Sequence, residues 1–383
     1  PGKLMQAIKS AGTSNPVIML DEVDKVGASF QGDPASALLE VLDPEQNSAF
    51  RDHYLDVPYD LSKVLFITTA NVPDTIPEAL LDRMEQIYLS GYITEDKLAI
   101  GKRHLIPRLL EDNGLMRDDV RFTDAGLRKL VEGYAREAGV RDLEKSVNGC
   151  LRKVASQRTQ TKKDEHEQIV INHKKVEEFL GKPRYTEDPM RQAHAPGVVQ
   201  GLAWTPHGGS TLFVEATPVP GEQTIKMTGQ LGNVMTESSH IAYSLVTGTA
   251  PSMGVDEDFF ANRTIHLHVP AGATKKDGPS AGITMATALL SLALNRQVSP
   301  QWAMTGELTL TGRVLPVGGI REKLVAAKRA KVKHVILPET NRSDYEETPE
   351  KVTKGMTPHF VQDYQDVFKL VFPKTTRKNS KKK

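Results

Sequence analysis

Ser280 stands between glycines in Lys275-Lys-Asp-Gly-Pro-Ser-Ala-Gly282, where one pattern of residues gives way to another. The preceding Thr264-Ile-His-Leu-His-Val-Pro270 alternates polar and apolar with period two, the signature of a half-buried strand. The following Ile283–Leu294 is almost wholly apolar or small and reads as a buried helix. A serine on that turn has its Oγ at a helix N-terminus, where unpaired backbone N–H groups and the helix dipole favour developing negative charge. Acyl transfer needs this geometry; the plainer alternative is that Ser280 simply caps the helix.

Lys323 separates the two readings. Val317-Gly-Gly-Ile-Arg-Glu-Lys-Leu-Val-Ala-Ala-Lys-Arg-Ala330 is a glycine hinge followed by an amphipathic helix. Ile320, Leu324, Ala327 and Ala330 share one arc of it, and Lys323 falls inside that arc. Burying an ammonium without a partner is expensive, and desolvation lowers a lysine's pKa until the neutral amine can serve as a general base. A Ser–Lys pair then has a mechanism: Lys323 takes the proton, Ser280 attacks a carbonyl, and the ester is hydrolysed. On its own, Lys323 would instead snorkel its head into water.

Lys276-Asp-Gly-Pro-Ser-Ala-Gly282, Met304-Thr-Gly-Glu307 and Gly318-Gly-Ile-Arg-Glu-Lys323 resemble the proteolytic domain of the Lon family of ATP-dependent Ser–Lys proteases. The likeness runs on through Gly201-Leu-Ala-Trp-Thr205 and Thr228-Gly-Gln-Leu-Gly-Asn-Val-Met-Thr-Glu-Ser238, and so covers the C-terminal half. It implies Ser280 as nucleophile, Lys323 as general base and Thr305 as the threonine that orients the lysine. Lys275 departs from the family, which usually has proline there. Two other hydrolase patterns fit less well. Gly278-Pro-Ser-Ala-Gly282 satisfies the G-x-S-x-G elbow, with Asp344 and His359 downstream in the required order, but a run of upstream βαβ units is missing. The S-x-x-K pattern fails because Ile283 occupies the lysine position.

The N-terminal half carries different chemistry. Asn15-Pro-Val-Ile-Met-Leu-Asp-Glu-Val-Asp24 is a short apolar run ending in carboxylates, the way a parallel strand delivers acids to the edge of a nucleotide-binding sheet. In this reading Asp21 helps hold Mg²⁺ and Glu22 polarises the attacking water. A second strand, Val64-Leu-Phe-Ile-Thr-Thr-Ala-Asn71, ends in an amide able to position water, and Ile76-Pro-Glu-Ala-Leu-Leu-Asp-Arg-Met-Glu85 offers Arg83. In order, these resemble the Walker B, sensor-1 and arginine-finger segments of the Lon AAA+ module. Tyr134-Ala-Arg-Glu-Ala-Gly-Val-Arg-Asp-Leu-Glu144 resembles its sensor-2 helix, with Arg141 facing nucleotide. Singly, a turn-forming Asn71 and surface-paired Arg83 and Arg141 are equally natural. A phosphate-cradling G-x-x-x-x-G-K-[ST] loop occurs nowhere in the 383 residues. Because the family places that loop and an aromatic pore loop upstream, and Pro1 is not an initiator residue, the chain reads as a C-terminal fragment with impaired ATP binding.

The elements that must position these groups follow from composition and pattern. Residues 1–90 read as the remainder of an α/β nucleotide-binding core, helical around Ala35–Leu42. Residues 91–181 read as a small helical domain, with helices over Glu95–Leu110, Thr123–Ala138 and Arg141–Arg158, a short strand at Ile169–Ile171 and a helix capped by Asn172. Residues 182–196 are a proline-bearing linker and 197–373 an α+β proteolytic domain. Residues 374–383 hold six Lys or Arg and read as a disordered basic tail. The fold class is thus α/β and α+β multidomain.

Bulk properties narrow the class. Net charge is +1 and the sequence pI about 8.2, so no global charge drives nucleic-acid binding, and weak DNA attraction rests on the tail alone. The single cysteine, Cys150, has no internal partner and suits a reducing compartment. No stretch nears ~20 apolar residues, which gives no membrane span. His266 and His268 alternate on a strand and His166 and His173 flank a loop; neither pair has a third ligand, so a zinc protease is a poor fit. Through the resemblance, the expectation is a homohexameric ring that uses ATP and Mg²⁺ to thread unfolded, damaged or short-lived proteins to Ser280. Its compartment would be the bacterial cytoplasm, with the mitochondrial matrix or peroxisome as alternatives. The competing readings are an AAA+ remodelling chaperone with an inactive protease-like domain, and a nucleic-acid-binding regulator working through the tail and the helical domain.

Overall fold

The computed structural model describes residues 1–26, 34–71, 75–87, 89, 91–160, 167–185, 195–205, 208–270 and 275–373. The expected tail and most of the expected linker lie outside the described residues. The chain divides into two compact units, Pro1–Leu89 and Ser90–Lys383.

In the first unit α1 (Lys3–Ala11) leads into β1 (Val17–Leu20), α2 (Pro34–Leu42), β2 (Leu65–Thr68) and the single-turn α3 (Glu78–Leu81). β1 and β2 pair in parallel, Val17 opposite Leu65 and Leu20 opposite Thr68. The apolar runs that defined these strands bury only one face. Ile18 is 8 % exposed and packs with Ile8, Val41 and Leu61, whereas Val17 and Met19 on the other face are 62 % and 63 % exposed.

The second unit begins with a continuous helical rod. α4 (Thr94–Ile100) passes through a π-helical turn, Gly101–Leu105, into α5 (Ile106–Asp112). The turn absorbs the extra residue there, and the rod runs two residues past the expected end. After β3 (Val120–Phe122) comes α6 (Asp124–Tyr134), whose cap Thr123 Oγ1 accepts from the Gly126 N–H at 3.0 Å. α6 stops at Tyr134 rather than at Ala138, because the carbonyls of Ala135 and Glu137 turn away to accept from the buried ammonium of Lys97. α7 (Arg141–Gln160), β4 (Ile169–Ile171, parallel to β3) and α8 (His173–Leu180) complete this region. Asn172 Oδ1 caps α8, accepting from Lys174 and Lys175 at 3.0 Å each. A core of Leu127, Leu130, Leu143, Val147, Cys150 and Leu151 joins the helices. Burial pushes the Cys150 thiol up to about 12, so it packs as an inert apolar group.

A seven-stranded mixed sheet follows, built from β5 (Val198–Thr205), β6 (Gly208–Pro220), β7 (Thr224–Thr228), β8 (Arg263–His268), β9 (Trp302–Met304), β10 (His334–Pro338) and β11 (Thr357–Val361). Its order is β11-β10-β9-β5-β6-β8-β7, and only β6 runs against its neighbours. α9 (Asn233–Thr249), α10 (Gly282–Ala293) and α12 (Tyr364–Val371) cover one face; α11 (Ile320–Arg329) covers the other. Period-two alternation divides the strands between two cores: Met304 and Ile336 pack towards α10, while Ala303, Val335 and Leu337 pack towards α11. α10 is buried on every side from Gly282 to Ser291, as its all-apolar sequence requires.

Candidate active site

Ser280 sits in a single 3₁₀ turn, Pro279–Ala281, that opens directly into α10. Gly278 precedes it at φ 118°, ψ 155°, a backbone region closed to residues with a Cβ, which explains the glycine. The turn is stitched in place from two elements, α9 and the end of β9. Asp277 Oδ1 accepts from Met235 N–H at 3.0 Å, in the first turn of α9, and from Gly278 N–H at 2.9 Å. The Met235 bond above all holds the Asp277 carboxyl below its ordinary range. Ser238 Oγ donates to the Pro279 carbonyl at 3.3 Å. The Ser280 carbonyl accepts from Gly306 N–H at 2.9 Å and from Thr305 Oγ1 at 3.1 Å.

Thr305 is fully buried at the end of β9, with its own N–H on the Ile336 carbonyl. Its hydroxyl donates to the backbone carbonyl of Ser280, and among the described residues no hydrogen bond joins it to Lys323, the lysine that the resemblance has it orient. Asp277 and Ser238 were not singled out from the sequence. The Asp-Gly-Pro run is a turn signal that marks Asp277 as a local hydrogen-bond acceptor, but its hold on α9 is set by the tertiary fold.

Lys323 lies on the covered face of α11 and is 2 % exposed. Gly209 lets β6 approach this helix closely: a Cβ there would lie 1.8 Å from the Glu322 carbonyl oxygen. Burial lowers the Lys323 ammonium to about 8, with Glu322 opposing the shift. Among the described residues, Nζ of Lys323 has no hydrogen-bond or ion-pair partner, Ser280 Oγ included. Lys97 makes the contrast. It is 3 % exposed and is also drawn to about 8 by desolvation, yet its Nζ donates to two carbonyls. The Lys323 side chain is almost wholly covered and its Nζ has no protein partner, an arrangement that favours the neutral amine and points to chemistry.

The serine-histidine-acid alternative finds no support in the geometry. His359 Nε2 meets His334 Nδ1 at 3.2 Å and Asp344 accepts from Asn341 Nδ2 at 2.6 Å, so no hydrogen bond links His359 to Asp344 or Ser280. A cavity of about 790 Å³ opens between the helical region and α11, but neither Ser280 nor Lys323 lines it.

In the first unit the structure gathers Asp21, Glu22 and Asn71 at the carboxyl ends of β1 and β2. Thr69 ties the two acids together: its Oγ1 donates to Asp21 Oδ1 and accepts from the Glu22 N–H at 3.0 Å. Glu22 takes a left-handed backbone (φ 57°) and pairs with Lys25; Asn71 N–H donates to Asp24 Oδ2 at 3.2 Å. Arg83 pairs with Asp43 at 3.2 Å and donates to the Ala79 carbonyl. Arg141 belongs to the second unit, as the exposed first residue of α7. An exposed carboxylate beside a hydroxyl is a hard oxygen set that suits a largely hydrated Mg²⁺. The residues fit the metal end of a nucleotide site, whereas no loop in the sequence cradles its phosphates.

Fold and site together define a multidomain α/β protein: part of a nucleotide-binding core, a helical lid, and a mixed-sheet domain with a half-buried serine at a helix start. Comparison with known families agrees. The profile of the Lon protease (S16) C-terminal proteolytic domain matches residues 170–374, that of the Lon protease AAA+ ATPase lid domain residues 111–168, and that of the ATPase family associated with various cellular activities residues 1–92. The chain belongs to the Lon protease family. It is 57 % identical to "Lon protease 1" of Syntrophotalea carbinolica over 97 % of its length and 45 % of that protein. It is 54 % identical to "Lon protease 2" of Hydrogenovibrio crunogenus over 100 % of its length and 43 % of that protein. Identity is 51 % to a "Lon protease homolog, mitochondrial" of Ostreococcus lucimarinus, over 96 % of this chain and 40 % of that one. The chain therefore spans less than half the length of these relatives.

Proposed function

We propose that this chain carries the peptide-bond-cleaving part of an ATP-dependent serine endopeptidase, with Ser280 as nucleophile and Lys323 as general base. The observation that carries the reading is Lys323, covered and without a protein partner, within the residues that match the Lon proteolytic domain. Neutral Lys323 Nζ takes the Ser280 Oγ proton as Oγ attacks the substrate carbonyl. Pro279 has no N–H, so the donors available to the oxyanion at this turn are the backbone N–H groups of Ser280 and Ala281. The Lys323 ammonium returns its proton to the leaving amine. Water, deprotonated by the same amine, then hydrolyses the acyl ester and regenerates both groups.

Residues 1–90, 91–181 and 197–373 are assigned as core, lid and proteolytic domain. Asp21 would hold Mg²⁺, Glu22 would orient water, and Asn71, Arg83 and Arg141 would face the nucleotide; bound ATP supplies the energy for threading. An arginine finger acts across a subunit boundary, which supports a ring, hexameric in our reading, working on unfolded polypeptides in the cytoplasm.

The test is cleavage of a short unstructured fluorogenic peptide by wild type, Ser280→Ala, Lys323→Ala and His359→Ala. Loss in the first two, by more than about 10³-fold, with His359→Ala unaffected, is expected. Activity that survives Lys323→Ala and disappears with His359→Ala sinks the dyad. A Ser280 that stays inert to acylating reagents supports the chaperone alternative.

A further inference from the structure

Three strands bring three rings into one stack. Trp302 opens β9, His334 opens β10 directly opposite it, and His359 lies two positions along on β11, opposite Ile336. All three side chains stand on the α10 face of the sheet and are half-buried. The indole stacks on His334 (centroids 4.6 Å, 21° between planes) and on His359 (4.8 Å, 31°). That clamp fixes the two imidazoles edge to edge, with His334 Nδ1 and His359 Nε2 3.2 Å apart. Two nitrogens bound to one tetrahedral ion at 2.0–2.1 Å are separated by about 3.3–3.4 Å. The pair is thus already set at chelating distance, and the reorganisation needed to admit an ion is a few tenths of an ångström.

We propose that His334 and His359 form a two-histidine binding site for a borderline divalent cation of the Zn²⁺, Ni²⁺ or Cu²⁺ class. Imidazole nitrogen selects these ions over Mg²⁺ and Ca²⁺, which take oxygen. The two rings now share one N–H between the facing nitrogens. On binding, that proton moves to the far nitrogen of the same ring, so both facing lone pairs reach the metal and no net proton is released. Water fills the other positions, since no group of three or more ligating side chains occurs among the described residues. The site is independent of the Ser280–Lys323 reading.

The chain provides its own reporter, because Trp302 is one of two tryptophans. In an untagged Trp204→Phe chain, Ni²⁺ or Cu²⁺ should quench Trp302 with one-to-one saturation, and excess Mg²⁺ should not compete. His334→Phe and His359→Phe keep a ring in the stack but remove one ligand, and each should weaken binding at least tenfold while the thermal melt without metal stays near wild type. On the unsubstituted chain, Ni²⁺ should broaden the imidazole NMR signals of His334 and His359 before those of other histidines, which decides the matter even if a variant misfolds. Quenching that survives both substitutions, broadening that appears first elsewhere, or no saturable quenching overturns the proposal.

Discussion

Two lysines, both buried and both drawn to about 8, carry opposite meanings. Lys97 satisfies the frayed end of α6, so Lys97→Met leaves the Ala135 and Glu137 carbonyls without their donor. It should cost about 1–3 kcal/mol in chemical denaturation. Lys323 satisfies nothing described, and Lys323→Met should raise stability while abolishing peptide cleavage, a trade typical of catalytic groups. The pH dependence follows from the direction of the Lys323 shift. Its folded pKa lies below the unfolded 10.5, so between about pH 8 and 10.5 the unfolded chain binds one more proton and stability rises with pH. Lys97 titrates over the same window, so the Lys323 share, roughly 3 kcal/mol and absent below pH 8, is read as the part of the rise that Lys323→Met loses. Cleavage should likewise climb about tenfold per pH unit on a single limb below about 8 and level off above it. A bell with an acid limb near the histidine range would contradict the lysine assignment. That Lys323 is buried was legible from its place on an apolar arc; that it lacks a partner was not, because partners come from strands over a hundred residues away in sequence.

At the scale of elements, the turn that holds Ser280 depends on what lies around it. Asp277→Ala removes the acceptor at the start of α9 and the one beneath Gly278, and a lost helix-end acceptor costs about 0.5–2 kcal/mol. Cleavage should fall further than stability does, because the turn loosens before the domain unfolds; equal small losses in both would reduce Asp277 to an ordinary cap. Thr305→Val keeps shape and volume but removes the hydroxyl donated to Ser280, leaving the Gly306 N–H on the same carbonyl. We expect a several-fold fall in turnover with an unchanged substrate KM. Helices were readable to within a few residues from period and caps, as Thr123 and Asn172 illustrate. Where an end differs from the local pattern, as at α6, a long-range donor, Lys97, overrules local propensity.

For the whole molecule, the two units differ in how much apolar surface they bury. The first leaves one face of its two-stranded ribbon open, with Val17, Met19, Leu65 and Ile67 between 41 % and 63 % exposed. The second closes a seven-stranded sheet between helices on both faces. Hydrogen exchange should therefore open amides of Val17–Leu20 and Leu65–Thr68 well before those of β5, β6 and β8. With no phosphate-cradling loop among its residues, the chain should not bind Mg²⁺·ATP tightly, and calorimetry that finds tight binding would refute the assignment of Asp21 and Glu22 as half a site. By itself the sequence determined the order of segments, the glycine-framed serine, the lysine on an apolar arc and the strand ends bearing acids, because each is written in neighbouring residues or in a helical or strand period. Only the tertiary structure decided that Thr305 reaches Ser280, that Lys97 is paired and Lys323 is not, and that Trp302, His334 and His359 stack. Those facts depend on the register of β9, β10 and β11 and on the packing of α11 against the sheet, and no local pattern in the chain encodes either one.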